Sequence, residues 1–431
     1  MIDEQFASKA LLDRLLFKSY LLLNNMKLKT LQSVNLKNKT ILYRAPYDID
    51  VEEVKGVWEL IDDMRIRATL PTLEYLLKQN CKIVILTYVG RPDGKVVPKL
   101  CTTPHAKKLA ELLNHPVLKV DDCVGSAVEE KIKNMKAGEI LMLENVRFHA
   151  EEMADEDEFA KRLCAGKDLV VFDGFPQAHR VHASTTGILR HLPAVAGLYL
   201  KHEVEMLSNL LESPKRPFTV IIGGAKISDK VDAVNNLLKI ADKVLVGGAV
   251  ANVFLKAEDK ELGSSFVEDV FVDEKKREKK DWVLYAKEIL KKYGNKIIYP
   301  EDVVISDGVS TKVIDVSFDE VPQGWMALDI GPKTQKLFSD AIEKSATVFL
   351  CGPMGKSKNK KFSKGSKSVL SAMENLKKNQ KGETIIAGGD TIELARTYGN
   401  LENYSHLSLA GGATLEFLAG KELPALMLLT E

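Results

Sequence analysis

The stretch FTVIIGGAKISDK, residues 218–230, decides the fold class. Its first five residues are apolar or β-branched without alternation, which is typical of a parallel strand covered on both faces. A glycine pair follows directly, and the segment beyond it can open a helix. The same order of short apolar run, Gly-, Asp- or Pro-rich turn and helix-period segment recurs from about residue 40 onward. This repeat predicts successive βαβ units.

Other segments share the character of this strand. They are TILYRAP (40–46), KIVILTYV (82–89), GEILMLENV (138–146), DLVVFDGF (168–175), KVLVGGAV (243–250), KIIYPEDVVI (296–305), ATVFLCG (346–352) and ETIIAGGD (383–390). So many strands exceed one comfortable open sheet, and 431 residues suit two or three domains, so we predict two α/β domains. The helix predicted in LYLKHEVEMLSNLLESPKRP (198–217) ends at its prolines, and we place the domain boundary along it.

Charge and cysteine content narrow the functional classes. The chain has 61 basic and 60 acidic residues, so no overall charge attracts nucleic acid or a membrane surface. Five cysteines without a CxxC pair fit neither a disulfide framework nor a zinc ribbon, and they predict a reducing, cytoplasmic location. They are Cys81, Cys101, Cys123, Cys164 and Cys351. The apolar run LLDRLLFKSYLLL (11–23) is interrupted by charges, which favours an amphipathic helix over a membrane anchor.

Three charged runs are interpreted from their composition. EEMADEDE (151–158) and DEKKREKKD (273–281) favour solvated helices, because opposite charges at i,i+4 support an exposed helix face. KSKNKKFSKGSK (356–367) is purely basic and follows a strand. The sequence leaves two interpretations of it open, a mobile surface loop or a contribution to anion binding.

Four glycine pairs lie at or just beyond strand ends, and each precedes a segment that can begin a helix. They are Gly223-Gly224, Gly247-Gly248, Gly388-Gly389 and Gly411-Gly412. Helix N-termini bind phosphate, and the carboxyl ends of parallel strands meet at one edge of a sheet. We therefore expect the turns to converge on one phosphate-binding crevice, although glycine also serves helix–strand packing. The sequence contains no GxxxxGK[ST] and no GxGxxG in its first unit, which disfavours common NTPases and NAD dehydrogenases.

Lys226 and Lys230 stand four residues apart, just after the first of these pairs. On a helix this spacing puts both ammonium groups on one face, where they repel unless an anion lies between them. A polyphosphate explains the pair economically, and two solvated lysines are the alternative. Asp390, after the third glycine pair, can contact a hydrated magnesium ion held by phosphates or act as a helix N-cap.

Arginines occupy comparable places in the first half of the chain, near strand ends or in the loops beyond them. They are Arg44, Arg65, Arg67, Arg91, Arg147 and Arg180. A guanidinium fork suits bidentate contact with phosphate or carboxylate, so the sequence predicts a second anionic ligand on the first domain. The neighbouring His149, His179 and His182 lack the spacing of a zinc motif, and we expect them to hydrogen-bond around the same anion.

Along residues 27–431 the chain resembles the phosphoglycerate kinase family. The segments that carry the resemblance, in the family's order, are RIRATLPTLEYLL, GRPDG, LENVRFHAEE, FDGFPQAHRVHAS, GGAKISDK, GWMALDIGP, CGPMG, AGGDT and AGGATLEFLAGKELP. The resemblance implies two doubly wound α/β domains joined by a long helix, with the C-terminal segment returning to the N-terminal domain. It implies reversible phosphoryl transfer between 1,3-bisphosphoglycerate and Mg-ADP, with hinge closure between the domains.

The resemblance also implies where each ligand binds. The substrate-binding residues carried over by motif are Arg44, Asp48, Arg65, Tyr88, Gly90, Arg91, Arg147 and Arg180. The residues implied for ATP or ADP are Lys226, Lys230, Ala327, Lys358, Gly388, Gly389, Asp390 and Thr391, with Asp390 as the magnesium contact. The implied catalytic group is Arg65, Lys226, Lys230, Gly389 and Gly412. Arg65 looks like the family's catalytic arginine, and Lys230 like the lysine that follows the transferring group.

The sequence departs from the family's usual pattern at several of these positions. Pro46 and Asp48 stand where the family has aspartate and asparagine, and Tyr88 stands where it has histidine. On the nucleotide side the departures are Ala327 for glycine, Cys351 for asparagine, Lys358 for a ribose-contacting glutamate and Ala410 for glycine. These leave two alternatives open, a phosphotransferase for another small carboxylate and a catalytically idle nucleotide-binding relative.

The domain organisation that follows has four parts. These are a helical extension over 1–25, a phosphoglycerate-binding domain over 26–198 with about 413–431 added, an interdomain helix over 199–214 and a nucleotide-binding domain over 215–412. We expect a cytoplasmic monomer of glycolysis that binds small molecules and neither nucleic acid nor a membrane.

Overall fold

The computed structural model describes residues 27–273 and 278–431, so the helix predicted over residues 1–25 lies outside the described residues. The described chain up to Ser208, together with Lys421–Glu431, forms one unit, and Asn209–Gly420 forms the other. Among the described residues, no helix is both long and apolar enough to span a bilayer.

The first unit is built on a six-stranded parallel sheet with helices around it. The strands of the whole unit are β1 Thr40–Arg44, β2 Val51–Val54, β3 Val57–Leu60, β4 Lys82–Leu86, β5 Val117–Lys119, β6 Ile140–Met142, β7 Leu169–Phe172 and β8 Ala194–Ala196. Its helices are α1 Met64–Lys78, α2 Thr103–Leu113, α3 Ser126–Lys133, α4 Ala150–Met153, α5 Asp157–Cys164 and α6 Ile188–His191, and α7 Leu198–Glu212 crosses the boundary between the units. The sheet order is β5-β6-β4-β1-β7-β8, and β2 and β3 form a separate hairpin. The side chains of β1 and β4 are almost entirely buried, as the unbroken apolar runs predict.

The second unit repeats the plan with a second parallel sheet. Its strands are β9 Phe218–Ile222, β10 Lys243–Val246, β11 Val270–Asp273, β12 Glu278–Asp281, β13 Ile297–Ile298, β14 Asp302–Ser306, β15 Thr311–Asp315, β16 Met326–Ile330, β17 Thr347–Cys351, β18 Glu383–Ala387 and β19 His406–Ser408. Its helices are α8 Val231–Ile240, α9 Gly248–Ala257, α10 Trp282–Tyr293, α11 Pro332–Glu343, α12 Lys364–Gln380, α13 Gly389–Tyr398 and α14 Gly412–Leu418. The parallel sheet has the order β13-β10-β9-β17-β18-β19. Strands β15-β14-β16 form a small antiparallel sheet, and β11 pairs with β12.

The C-terminal segment returns to the first unit, as the family resemblance implies. Helix α15, Pro424–Leu428, is followed by the last residues of the chain, which pair with residues near its described start. Lys29 N donates to Leu429 O over 2.9 Å, and Glu431 N donates to Lys27 O over 2.9 Å. The predicted two-domain α/β fold, with a long helix at the boundary between the units, is therefore confirmed.

Two local predictions were wrong. Residues 296–305 form two strands in different sheets, because Pro300 has no N–H with which to continue a ladder. Residues 278–281 form strand β12 instead of a helix, paired antiparallel with β11. Asp281 accepts a hydrogen bond from Leu284 N and so caps α10, which fixes the start of that helix after the charged run.

Candidate active site

The four glycine turns of the second unit lie around one cavity of about 1140 Å³. Two follow the parallel strands β9 and β10, one follows β18, and one lies just beyond β19. Each turn contributes at least one glycine to the wall, namely Gly224, Gly248, Gly388, Gly389, Gly411 and Gly412. The structure thus brings together the backbone segments that the sequence suggested for phosphate binding.

Close backbone packing explains glycine at the first two turns. Gly248 has φ +61°, and a Cβ atom there would lie 2.7 Å from both Gly224 N and Pro353 O. Gly224 N donates to Pro353 O over 2.8 Å, and Gly248 N donates to Met354 O over 3.0 Å. Main-chain hydrogen bonds therefore fix both turns to the turn after β17, and a side chain on Gly248 would clash with that backbone.

The third turn leads into helix α13. Gly388, with φ +92°, is the N-cap, and no neighbouring atom lies within 4 Å of a Cβ built on Gly389. The space beside Gly389 leaves the first turn of the helix open to an anion, which helix N-termini attract. Thr391 accepts a hydrogen bond from Gly352 N over 2.8 Å, so its hydroxyl joins this turn to the one after β17. Asp390 lies in the first helical turn and is not the N-cap that the sequence left as an alternative.

Lys226 and Lys230 both line the cavity, but neither lies on a helix. They lie in the turn between β9 and α8, with Lys230 as the N-cap residue, so the helix-face prediction was wrong. Lys230 Nζ lies 3.4 Å from Lys226 O. Within the described part of the chain, no carboxylate is within 4 Å of either ammonium group. The turn therefore presents two positive charges without a protein counter-ion.

The basic run 356–367 borders this cavity. Lys356, Ser357, Lys358 and Lys360 are among the lining residues. The run contains a short 3-10 helix with Phe362 buried, and α12 begins at its end. Lys358 Nζ lies 3.5 Å from Asp390 Oδ1, with the two side chains 84% and 70% exposed. Of the two interpretations left open by the sequence, the position at the cavity supports a contribution to anion binding.

Three further residues of the cavity differ in character. Ala327 N donates to Ser265 Oγ over 2.8 Å, which fixes the edge of β16. Burial raises the pKa of the Cys351 thiol to about 11, with Lys230 acting in the opposite direction, so the thiol is neutral. Asp329 was missed from the sequence, although a carboxylate inside the apolar run MALDI was a signal for it. Burial raises its pKa to about 6, and the N–H groups of Gly365 and Ile330 oppose that shift.

In the first unit, three arginines surround the buried ring of Tyr88. The guanidinium carbon of Arg147 lies 3.5 Å from the ring centroid, that of Arg44 5.3 Å and that of Arg180 5.8 Å. Arg44 is fully buried and Arg147 nearly so, and burial lowers the pKa of each. Arg44 Nη2, Arg147 Nε and Arg147 Nη2 are buried and have no hydrogen-bond partner among the residues that the structure describes. Such guanidinium groups indicate a site for an anion.

Asp48 ties this cluster to Arg65. Its carboxylate Oδ1 accepts a hydrogen bond from Gly90 N over 2.9 Å, and its main-chain oxygen accepts one from Arg65 Nη1. Gly90 O in turn accepts a hydrogen bond from Arg147 Nη1 over 2.7 Å. The predicted substrate residues Asp48, Arg65, Gly90 and Arg147 are therefore neighbours in one hydrogen-bonded chain of contacts.

Burial and the positive charge of the arginines change the pKa values of the neighbouring histidines. Burial, together with the charges of Arg147, Arg180 and Arg44, lowers the pKa of His182 to about 4. Burial and Arg180 lower the pKa of His179 to about 4 as well. Both imidazoles are therefore neutral at pH 7. Glu152 is fully buried and accepts hydrogen bonds from Ser184 N and Ser184 Oγ.

Three basic residues singled out by the sequence lie apart from these contacts. Arg67 is exposed and makes a bidentate contact with Asp63, at 2.8 and 2.9 Å. His149 Nε2 donates to Asp122 Oδ1 over 2.7 Å instead of facing the arginines. Arg91 is exposed. From the sequence motifs alone, an arginine on an exposed helix face could not be distinguished from one that belongs to the arginine cluster.

A cavity with glycine turns and lysines on one parallel-sheet unit, and a buried arginine cluster on another, define a two-domain α/β kinase. The family model described as phosphoglycerate kinase matches residues 31–421. Phosphoglycerate kinases of Moorella thermoacetica and Gloeothece citriformis are 40% and 39% identical over 407 residues, 93% of this chain and 99% and 98% of those proteins. The chain belongs to the phosphoglycerate kinase family.

Solved structures agree with this assignment. The phosphoglycerate kinase of Coxiella burnetii is similar with a TM-score of 0.78 at 31% identity, covering 94% of this chain and 99% of that one. The phosphoglycerate kinase of Pyrococcus horikoshii OT3 gives a TM-score of 0.79 at 33% identity, covering 93% and 98%. The similarity thus spans both units of the fold.

Proposed function

We propose that the chain catalyses reversible phosphoryl transfer between 1,3-bisphosphoglycerate and Mg-ADP, giving 3-phosphoglycerate and ATP. The observation that carries the proposal is a pair of cationic sites, one on each unit, with basic groups that the described protein residues leave unsatisfied. The first unit holds buried guanidinium N–H groups without partners, and the second holds two lysines without a carboxylate within reach among the described residues. Two anionic ligands account for both sites.

We assign the phosphoglycerate to the first unit. The residues assigned to it are Arg44, Asp48, Arg65, Tyr88, Gly90, Arg91, Arg147 and Arg180. The contacts around Tyr88 and Asp48 support the assignment for most of these residues, whereas Arg91 rests on the family motif alone.

We assign the nucleotide to the cavity of the second unit. The residues assigned are Lys226, Lys230, Ala327, Lys358, Gly388, Gly389, Asp390 and Thr391, all of which line it. The exposed Asp390 carboxylate fits a magnesium ion held mainly by nucleotide phosphates, and such an ion would neutralise phosphate charge. Lys358 does not offer the carboxylate with which the family usually meets the ribose, so we propose altered nucleotide selection.

The proposed catalytic group is Arg65, Lys226, Lys230 and the backbone amides of Gly389 and Gly412. Arg65 and Lys230 would neutralise charge on the equatorial oxygens of the transferring phosphoryl group. No side chain needs to act as a base, because the acceptor oxygen is already an anion. We also propose that a hinge movement accompanies catalysis, and that the enzyme acts as a cytoplasmic monomer.

Steady-state rates with ATP and with GTP, against 3-phosphoglycerate and related phosphorylated acids, test the function. We expect turnover with 3-phosphoglycerate and a large loss of kcat in Arg65→Ala with the fold intact. Arg67→Ala is the matched control, since that arginine pairs with Asp63 on the solvated side of the same helix. Faster turnover with another acid would support the other carboxylate, and nucleotide binding without turnover would support the idle relative.

A further inference from the structure

The buried Tyr88 ring is the centre of the arginine cluster and contacts Arg147 most closely. A separation of 3.5 Å between the guanidinium carbon of Arg147 and the ring centroid is a stacking distance. The ring is 1% exposed, so water does not compete for this contact. Strand β4 ends two residues before Tyr88 and fixes its place at the edge of the sheet.

The face and the edge of the Arg147 guanidinium have different neighbours. Its flat face contacts the Tyr88 ring, and Nη1 donates to Gly90 O. Nε and Nη2 are buried and find no partner within the described ranges of the chain. These two N–H groups form the side of the guanidinium that makes paired hydrogen bonds to phosphate or carboxylate. The edge therefore carries two unsatisfied donors whose geometry suits an anion, while the ring contacts the face.

The carboxylates of Glu152 and Asp48 attract Arg44 and Arg147, but the arginines repel one another. Arg44 and Arg180 each lie within 6 Å of the same ring, and like charges repel Arg147 from both. The electron-rich face of an aromatic ring attracts cations without neutralising them, so it leaves their charge available to a ligand. Histidine, the family's usual residue here, would add a further positive charge whenever it is protonated.

We propose that Tyr88 is a positioning residue: its ring holds Arg147, with Arg44 and Arg180 beside it, in the geometry that binds the anionic acceptor. The inference rests on the proposed function and deepens it. In this proposal the aromatic ring of Tyr88, and not its phenol hydroxyl, positions the arginines. Tyr88 thus acts through the arginines and not by touching the reacting atoms.

The test compares Tyr88→Phe, which keeps the ring, with Tyr88→Leu and Tyr88→Met, which remove it. For each variant, kcat, KM for 3-phosphoglycerate, KM for ATP and the melting temperature are measured. We expect Tyr88→Phe to raise KM for 3-phosphoglycerate far less than the ring-less variants do, because the aromatic ring remains. We expect Tyr88→Leu and Tyr88→Met to raise KM for 3-phosphoglycerate about tenfold or more while KM for ATP stays the same, which corresponds to the strength of a desolvated cation–π contact. Tyr293→Leu is the control, because Lys292 lies 4.9 Å from that ring in the second unit.

The outcomes separate the inference from the function. An inactive parent that fails to bind 3-phosphoglycerate in calorimetry would overturn the proposed function itself. An active parent with an unchanged KM in the ring-less variants would overturn the inference alone, as would a Tyr88→Phe variant whose KM rises as far as theirs. If the ring-less variants do not fold, Tyr88→Phe decides, since a rise of about tenfold in its KM for 3-phosphoglycerate would assign the role to the hydroxyl and overturn the inference.

Discussion

Replacement of Lys230 by methionine removes one positive charge from the nucleotide cavity while keeping a long apolar side chain. Lys230 is a partly buried residue of the turn before α8, and its ammonium group lies 3.4 Å from Lys226 O. At about 4 Å, a unit charge interacts with another by about 1 kcal/mol in water and about 4 kcal/mol at an effective dielectric constant of 20. An intermediate value of about 2.7 kcal/mol corresponds to a loss of about 100-fold in kcat.

We expect Lys230→Met to lose activity without losing thermal stability. Among the described residues, no carboxylate lies within ion-pair distance of Lys230, so its replacement breaks no ion pair. A cation at the N-cap of α8 also opposes the helix dipole. We therefore expect the melting temperature of Lys230→Met to stay within about 2 °C of the parent or to rise slightly.

The assay follows ATP formation from 1,3-bisphosphoglycerate and ADP in a coupled reaction, alongside thermal melting. Lys239→Met is the matched control, since Lys239 is exposed in the last turn of the same helix. If Lys230→Met kept more than about a tenth of the parental kcat, or if Lys239→Met lost as much, the charge argument would be refuted.

Three further predictions concern the ion pair, the buried histidine and the glycine turns. Lys358→Ala should lower the Mg²⁺ concentration that gives the half-maximal rate about two- to fivefold, because it removes the exposed ion pair between Lys358 and Asp390. A Mg²⁺ titration that shows no change would contradict this. The His182 imidazole gains a proton near pH 6.5 in the unfolded chain but only near pH 4 in the folded protein, so stability falls as the pH drops from about 6.5 to 4. The melting temperature of His182→Asn should depend less on pH over this range. Gly248→Ala should destabilise by about 2–4 kcal/mol in urea denaturation through its positive φ and backbone clash, whereas Gly294→Ala, with no atom near its Cβ, should be neutral or slightly stabilising.

Much of the fold could be predicted because the chain's strands are buried on both sides. An apolar run such as FTVIIGG has one stable environment, a covered parallel strand, and the structure places it in the centre of the second sheet. Short edge strands such as Ala194–Ala196 and His406–Ser408 carry too few residues for such a pattern. The small antiparallel sheet was missed because three of the five residues of Thr311–Asp315 are exposed, so pairing with β14 decides their conformation.

Candidate site residues were predictable by position but not by contact. Glycine pairs after strands had to meet at one sheet edge, and they do. The stacking of Arg147 on Tyr88 had no local sequence signal, because the two residues are far apart in the chain and meet only through the packing of their loops. The Lys358–Asp390 pair depends in the same way on two loops that follow different strands.

The departures from the family's pattern are of two physical kinds. On the first unit, the negative charge that the family usually carries at the position of Pro46 is found two residues later, at Asp48, which still accepts a hydrogen bond from Gly90 and contacts Arg65 through its main chain. The charge balance of the arginine cluster is therefore kept. On the second unit, lysine in place of glutamate at Lys358 reverses a charge, and the nearby Asp390 is the only contact the structure gives that ammonium among the described residues. Because an uncompensated reversal changes the field around a polyphosphate whereas a relocated carboxylate does not, divergence in this enzyme should lie in how it selects its nucleotide and metal more than in how it holds the acid.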